Sequence, residues 1–269
     1  MSISFALVGA GAMGGAMLRR WLSSSTIRHD MSAVLEPQLD DDLAAACQAH
    51  GVAVNPALDT VRPDLLVLAV KPQIAAEVLP QLGTIAHDCA TISVMAGVSV
   101  ESLSRHLGGA QRLVRAMPNL PAQFGEGVTG VFASSAASAT DRASVDLLLG
   151  EIGDVVWVDE ESHVDAVTAI SGSGPAYFFL LAEAMTEAGR ALGLSQDAAT
   201  QLARHTLSGA GAVVREDERH VCTLREAVTS PGGTTAAALG VYDGEGRPLR
   251  TLTHAATQAA FLRARELSS

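Results

Sequence analysis

The chain has 269 residues, of which 48% are apolar and only 4% aromatic, and its formal net charge is −11. This length allows one large domain or two ordinary ones, and the alanine-rich composition favours packed helices over an all-β fold. The acidic balance argues against non-specific nucleic-acid binding, which requires a basic surface.

Other features of the composition indicate whether to expect a metal site, a secreted or cytoplasmic location, or a membrane span. The three cysteines show no CxxC spacing and the eight histidines are scattered, so we expect no disulfide framework, no metal site and a cytoplasmic location. The first apolar strand starts at Ile3, which leaves no expected room for a secretory signal. No uninterrupted apolar run approaches about 18 residues, since the run at 176–181 is soon followed by Glu183, so we expect no membrane span.

Residues 1–160 alternate short apolar runs with helical segments. Strands are predicted at 3–8, 31–35, 52–54, 64–70, 90–94, 112–116, 128–132 and 155–158, and helices at 13–23, 43–50, 74–82 and 100–107. Such alternation implies right-handed crossovers and a parallel sheet covered on both faces. The sequence therefore predicts an α/β fold whose N-terminal domain, residues 1–160, is a Rossmann-type doubly wound sheet.

Residues 161–269 show only helical periodicity, which predicts an all-α C-terminal domain. Its helices are predicted at 163–192, 195–217, 222–228, 231–242 and 247–267. The first is interrupted at Ser171-Gly-Ser-Gly-Pro175, because Pro175 lacks a backbone donor. A broad apolar face on this helix consists of Leu180, Leu181, Ala184, Met185 and Ala188. We expect this face to join two copies of the chain, the alternative being packing on the first domain alone.

The segment Gly9-Ala10-Gly11-Ala12-Met13-Gly14 follows the first strand and opens a helix. In a dinucleotide-binding βαβ unit, Gly9 makes the turn, Gly11 lets the pyrophosphate approach and Gly14 packs helix on strand. This context predicts a nucleotide site, the alternative being a purely structural glycine turn.

Further cofactor candidates follow the next strands. Glu36 ends the second strand, where an acidic side chain binds the ribose hydroxyls of NAD(H). A 2′-phosphate would meet a like charge there, at a cost on the order of 1–4 kcal/mol at ~4 Å. Asn55 could bond the adenosine ribose, and Lys71, in the segment Ala69-Val70-Lys71, could meet a cofactor phosphate or ribose. The alternatives are a solvated glutamate, an Asn-Pro turn and a surface lysine.

The segment Arg225–Leu239 places hydroxyls and bare backbone amides at a predicted helix start. Ser230 suits the N-cap and Pro231 the first helical position. Gly232 and Gly233 are each unfavourable inside a helix by about 1 kcal/mol, so the pair indicates that something approaches the backbone closely. A carboxylate or a phosphate would fit such a helix start. An ordinary capped helix is the alternative.

The sequence shows no Ser/His/Asp arrangement and no cluster of metal ligands. Reactions that need an acyl-enzyme or a metal are therefore poorly supported. Hydride transfer remains, in which a bound cofactor carries the chemistry.

Taken together, these segments resemble the pyrroline-5-carboxylate reductases. The matching segments are Gly9-x-Gly-x-Met-Gly14, Ala69-Val-Lys-Pro72, Ser93-Val-Met-Ala-Gly97, Arg115-Ala-Met-Pro-Asn119, Asp165-Ala-Val-Thr-Ala-Ile-Ser-Gly-Ser-Gly-Pro-Ala-Tyr177 and Val228-Thr-Ser-Pro-Gly-Gly-Thr-Thr235. They cover nearly the whole chain in order, and the last two are the most specific. The resemblance implies reduction of (S)-1-pyrroline-5-carboxylate to L-proline, the last step of proline biosynthesis, with NADPH or NADH as the hydride donor.

The resemblance also implies roles for individual residues. The cofactor would be lined by Gly9 to Gly14, Asn55, Ala69 to Lys71 and Ala96. The substrate carboxylate would be held by Ser230, Gly232, Gly233, Thr234 and Thr235. Thr235 would also serve the imine nitrogen as a hydrogen-bond partner and proton donor, and Glu161 would be the family's glutamate on the substrate loop. The implied assembly is a homodimer that shares its sites between subunits and often forms decamers.

Glu36 departs from relatives that carry small polar or basic residues at the end of this strand. We therefore expect NADH use at least comparable with NADPH use. Two rival functions stay open: a reductase of larger cyclic imines and a nucleotide-binding regulator without turnover. A β-hydroxyacid dehydrogenase is excluded, because those enzymes place a catalytic lysine in the second domain and no lysine follows Lys71.

Overall fold

A sheet of eight strands organises the first part of the chain. The structure, a computed structural model, describes residues 2–267, so the domain limits predicted at residues 1 and 269 lie outside the described residues. The strands are β1 (Phe5–Val8), β2 (Ala33–Leu35), β3 (Ala53–Val54), β4 (Leu65–Leu68), β5 (Ala90–Ser93), β6 (Leu113–Met117), β7 (Gly127–Ala133) and β8 (Gly153–Trp157). Each coincides with a predicted strand to within a few residues at either end.

The first six strands are parallel and lie in the order β3-β2-β1-β4-β5-β6. This is the order of a doubly wound dinucleotide-binding sheet, whose winding direction reverses between β1 and β4. Ligands of such sheets bind outside the carboxyl ends of the strands at that reversal. The prediction of a Rossmann-type sheet is confirmed.

The last strands correct the prediction of a fully parallel sheet. β7 runs antiparallel to β6, and β8 runs parallel to β7. The connection between β6 and β7 contains only a 3₁₀ turn, Leu120–Phe124. It is too short for the crossover of about a dozen residues that a parallel pair requires. The sheet is therefore mixed at this edge.

Helices accompany the strands and make up the C-terminal part. They are α1 (Ala12–Leu22), α2 (Asp41–His50), α3 (Ala75–Val78), α4 (Gly83–Asp88), α5 (Val100–His106), α6 (Ala139–Gly150), α7 (His163–Val167), α8 (Gly174–Ala191), α9 (Gln196–Glu216), α10 (Val221–Ala227), α11 (Thr234–Asp243) and α12 (Pro248–Leu267). The predictions missed α4 and α6. The missed α6 has a clear sequence signal, because Ser138 and Asp141 form a capping box at its start.

Two apolar clusters cover opposite faces of the sheet. Alternate strand residues such as Phe5, Leu7 and Val67 belong to one cluster, which also contains the fully buried Trp21. Their neighbours in sequence, such as Leu66 and Leu68, belong to the other cluster. Because successive side chains of a strand point to opposite faces, these strands are buried on both sides, as in other parallel sheets. Burial on both sides explains why these strands are near-continuous apolar runs in the sequence.

The described residues form two compact units, one up to residue 173 together with the residues from 260 onward, and the other 174–259. This division follows packing, whereas the domain boundary predicted at residue 160 remains a prediction. The second unit is helical, and its predicted apolar face on α8 is exposed in the single chain. The five residues of that face, all exposed, are Leu180, Leu181, Ala184, Met185 and Ala188.

Among residues 2–267, one helical segment, His163–Ala191, is long and apolar enough by composition to cross a membrane. The sequence prediction required an uninterrupted apolar run, whereas an averaged window tolerates isolated charges such as Glu183. A single segment of this kind is weak support for a membrane span. An apolar helix that pairs with another protein chain passes the same test.

The predicted interruption of this segment is a π-helical turn, Thr168–Gly172, between α7 and α8. A Cβ on Gly172 would come within 3.1 Å of Met117 Cε, at the end of β6. The backbone of the turn therefore packs closely on the Met117 side chain, which a glycine at this position permits.

Candidate active site

Five neighbouring strand ends carry the residues predicted to bind the cofactor. Asn55 follows β3, Glu36 follows β2, the glycine loop Gly9–Gly14 follows β1, Ala69–Lys71 follows β4, and Ala96 follows β5. The carboxyl ends of parallel strands share one edge of a sheet, so these groups lie along that edge in this order. The edge can bind an extended ligand with two halves, such as a dinucleotide.

The three glycines of the loop differ in what a side chain would meet. Gly9 has a φ of +90°, and a Cβ there would come within 2.8 Å of the carbonyl carbon of Ala69. A Cβ on Gly14 would overlap the carbonyl oxygen of Gly9. A Cβ on Gly11 would meet nothing within 4 Å. The fold itself therefore requires glycine at positions 9 and 14, whereas glycine at position 11 leaves open space that suits a pyrophosphate.

The start of α1 leaves backbone amides available to an anion. Gly11 is its N-cap, without a side-chain cap hydrogen bond, and the first turn contains no acidic residue. The first amides of a helix have no intrahelical partner, and the helix dipole places positive charge at this end. A diphosphate group fits such a helix start.

Glu36 is tied into the glycine loop. Its carboxylate accepts hydrogen bonds from the backbone N–H groups of Ala10, at 3.0 Å, and Gln38, at 3.0 Å. Its own N–H donates to Asn55 Oδ1 at 2.8 Å, and its carbonyl oxygen accepts from Asn55 Nδ2 at 3.0 Å. Since the carboxylate faces the loop, the alternative of a solvated side chain that turns aside is disfavoured.

The remaining predicted cofactor residues differ in exposure. Asn55 has a φ of +48°, and its hydrogen bonds to Glu36 give it a structural role at the turn. Ala69 donates its N–H to the carbonyl of Val8 at 2.8 Å, which holds the end of β4 beside β1. Lys71 and Ala96 are exposed. Direct contact of these residues with a cofactor stays a prediction.

The glycine pair of the second unit corrects the predicted start of its helix. The N–H of Gly233 donates to the carbonyl of Ser230 at 3.0 Å, and Gly232 has a φ of +69°. Pro231 followed by a glycine with positive φ is the pattern of a type II turn. Ser230 therefore begins a β-turn and is not the N-cap, and α11 starts at Thr234 with Gly233 as its N-cap. We call Ser230–Gly233 the glycine turn.

The start of α11 resembles that of α1. It has no side-chain cap hydrogen bond and no acidic residue in its first turn. Ser230 is exposed and Thr235 is half-buried, so hydroxyls accompany the bare amides. A small carboxylate can accept several hydrogen bonds at such a helix start.

An ion-pair cluster that sequence reasoning missed lies at the other end of α11. Both Nε and Nη2 of Arg250 donate to the two oxygens of Asp243, at 2.6 and 2.8 Å. Arg225 and Arg247 lie 3.8 and 3.6 Å from the same carboxylate. The hydrogen-bonded Arg250 guanidinium lowers the pKa of Asp243 below its usual range. This cluster joins α10, α11 and α12, and so links the two helices that flank the glycine turn.

Glu161 has two partners in the first unit. Its Oε1 accepts a hydrogen bond from Arg115 Nη1 at 2.9 Å and another from the N–H of Val100 at 2.7 Å. Arg115 lies on β6 with its side chain only 7% exposed, and the Glu161 side chain is 30% exposed. The predicted contact of Glu161 with a substrate stays a prediction. Sequence reasoning found no role for Arg115.

Comparison with known proteins supports the two-part organisation. Residues 161–267 match the family described as pyrroline-5-carboxylate reductase dimerisation, and residues 4–97 match the family described as NADP oxidoreductase, coenzyme F420-dependent. A pyrroline-5-carboxylate reductase from Haemophilus influenzae is 41% identical over 211 residues, which is 78% of this chain and 77% of that protein.

Solved structures of similar proteins cover nearly the entire chain. A pyrroline-5-carboxylate reductase from Coxiella burnetii matches with a TM-score of 0.92 and 34% identity, over 100% of both chains. A pyrroline carboxylate reductase from Plasmodium falciparum, solved with NADP bound, matches with a TM-score of 0.81 and 27% identity, over 99% of this chain and 98% of that one.

Two glycine substitutions should separate ligand binding from folding. Gly11→Ala places a methyl group in the open space of the loop, so we expect the Kd for a nicotinamide dinucleotide to rise about tenfold or more, equivalent to about 1.4 kcal/mol. Its Tm should stay within about 2 °C of the parent protein. Gly14→Ala, the matched control, should lower the Tm clearly, because its Cβ overlaps the Gly9 carbonyl. Fluorescence titration and thermal unfolding measure both, and unchanged affinity in Gly11→Ala would refute the pyrophosphate site.

Proposed function

The chain belongs to the pyrroline-5-carboxylate reductase family, and we propose which of its residues bind the cofactor and the substrate in the reduction of (S)-1-pyrroline-5-carboxylate to L-proline. The enzyme is an NAD(P)H-dependent oxidoreductase of proline biosynthesis that acts on a C=N bond. A hydride is added to the imine carbon and a proton to the nitrogen. The observation that carries our assignment is the glycine turn, which leads into a helix start without a side-chain cap.

We place the substrate carboxylate at the glycine turn and the first turn of α11. The proposed contacts are Ser230, Gly232, Gly233, Thr234 and Thr235. The bare amides and the positive end of the helix dipole favour an anion there. The absence of an acidic residue from the first turn leaves no competing carboxylate.

Thr235 is the proposed partner of the imine nitrogen, as a hydrogen-bond donor and proton source. Once its nitrogen has gained this proton, the imine carbon is electrophilic, so the protein acts mainly by orienting the ring, an effect that can supply several kcal/mol. When bound, the reduced nicotinamide supplies the hydride.

The nicotinamide cofactor is assigned to the carboxyl edge of the sheet. The proposed contacts are Gly9, Ala10, Gly11, Ala12, Met13, Gly14, Glu36, Asn55, Ala69, Val70, Lys71 and Ala96. We propose that NADH is used at least comparably with NADPH, because the Glu36 carboxylate faces the glycine loop and repels a 2′-phosphate. The Plasmodium falciparum relative holds NADP in its structure, so this preference would distinguish the present chain.

The helical part serves dimerisation, which accounts for the exposed apolar face on α8. We propose a functional boundary between residues 160 and 161, which coincides with the start of the dimerisation family match. We also propose sites that draw on both subunits, dimers that assemble further into decamers, and a cytoplasmic location.

Removal of one hydroxyl should test the role of Thr235. Thr235→Ala keeps the backbone donors of the helix start but loses the partner of the imine nitrogen, so we expect kcat to fall about tenfold or more, equivalent to about 1.4 kcal/mol. Nucleotide affinity should not change. Thr235→Ser is the matched control and should retain most of the activity. Steady-state kinetics with pyrroline-5-carboxylate measure this, and full turnover by Thr235→Ala would disprove the assignment.

Neutralisation of Glu36 should shift the cofactor preference. Glu36→Gln retains an acceptor for the Ala10 N–H while removing the charge that would oppose a 2′-phosphate. We expect kcat/KM with NADPH to rise about fivefold or more relative to kcat/KM with NADH, a change within the range of one screened charge contact. The two nucleotides are compared in the parent and the variant. A parent enzyme ten times more efficient with NADPH than with NADH would contradict the proposed preference.

The oligomeric state can be determined from the mass of the protein particles in solution. We expect particles of ten chains, each of 27.7 kDa, in mass photometry or light scattering of the parent protein. Leu181→Glu places a charge on the apolar face of α8 and should produce smaller species with lower activity, because burial of an unpaired charge opposes pairing. Glu183→Gln on the same helix serves as the control. A dimer as the largest species would rule out the decamer.

A further inference from the structure

The motif Arg115-Ala-Met-Pro-Asn119 has no part in the reaction proposed above, yet both of its polar ends make specific contacts. Arg115 is 6% exposed, and its guanidinium donates to Glu161 Oε1 at 2.9 Å. Buried charges are rare unless they are paired. The position of Arg115 on β6 therefore determines where the Glu161 carboxylate lies.

The same carboxylate oxygen fixes the start of α5. Val100 is the first residue of this helix, and its N–H donates to Glu161 Oε1 at 2.7 Å. The residues before it, 94–99, form the loop that leaves the carboxyl end of β5. This loop contains Ala96, which is exposed, and Gly97, with a φ of +75°. Glu161 therefore anchors the far end of the loop that we assign to the cofactor.

Asn119 makes the corresponding contacts at the other end of the motif. Its Nδ2 donates to the carbonyl of Ser171 at 3.1 Å, within the π-helical turn, and its Oδ1 accepts from the N–H of Val128 at 3.0 Å. Arg115 and Asn119 thus connect the sheet to both ends of the segment 161–172. The hydrogen bond from Val100 to Glu161 links the first end of this segment to the residue that follows the loop at 94–99.

We propose that Glu161 and Arg115 are positioning residues for the cofactor. Glu161 acts through Val100, by holding the loop at 94–99 in the conformation that receives the nicotinamide half, and does not itself touch the substrate. The inference rests on the proposed placement of Ala96 at the cofactor. It replaces the substrate contact that the family resemblance implies for Glu161.

The test is a double-mutant cycle on the full-length enzyme, with nucleotide Kd measured by fluorescence in the absence of substrate and KM measured for pyrroline-5-carboxylate. Glu161→Gln keeps an acceptor oxygen but loses the charge, and Arg115→Met keeps much of the buried volume. We expect each to raise the nucleotide Kd about fivefold or more, as weakening of a charge-assisted hydrogen bond predicts. The double variant should be little worse than either single variant, because the two residues act as one unit. Glu101→Gln, which removes an exposed ion pair on the same helix α5, is the control and should bind nucleotide normally.

Four outcomes distinguish the possibilities. A raised KM for pyrroline-5-carboxylate with unchanged nucleotide Kd in Glu161→Gln would restore the substrate contact and overturn the inference. Additive effects in the double variant would show that the two residues act separately, which also overturns it. Ala96→Leu tests the premise, since a bulky side chain in the loop should weaken nucleotide binding. If Ala96→Leu binds normally, the cofactor assignment itself fails, whereas weak binding by Ala96→Leu with normal binding by Glu161→Gln rejects only the positioning role.

Discussion

Helix starts with unpartnered backbone amides are the feature on which both halves of the proposed site depend. α1 and α11 each begin after a glycine N-cap, with no side-chain cap and no acidic residue in the first turn. By contrast, α2, α5, α6 and α9 are capped by aspartate or serine side chains. Amides left without a protein partner need water or a ligand, so α1 and α11 can receive a diphosphate and a carboxylate. The sheet positions the first start, and the Asp243 cluster links the helix that carries the second to its neighbours α10 and α12.

Most of the fold was predictable because its signals are local. Strands buried on both faces, such as β1, β4 and β5, are short apolar runs that the sequence shows directly. The direction of β7 was missed, because it depends on the length of the connection after β6 and not on the composition of the strand. The helix α6 was missed although Ser138 and Asp141 form a readable capping box.

The sequence predicted which residue types form the candidate site, but not their backbone conformation or their side-chain partners. Serine is a favoured residue type at an N-cap, but turns favour the same residue types. The type II turn that begins at Ser230 is therefore visible only in the backbone angles. The pairing of Arg115 with Glu161, and of Asp243 with three arginines, has no periodic signal in the sequence. Such pairs form between elements that folding brings together, and one buried arginine among seventeen cannot be singled out by pattern.

The exposed apolar face on α8 has a consequence for cells that produce two versions of this chain. If, as proposed, a second copy covers this face, the face does not distinguish a normal copy from a damaged one, so mixed pairs form in proportion to the amounts made. If each site draws on both subunits, a chain that pairs well but has lost its glycine turn lowers the output of its healthy partner. A defective copy of this kind would lower the activity of mixed dimers, whereas a copy that cannot pair would leave the normal dimers unaffected.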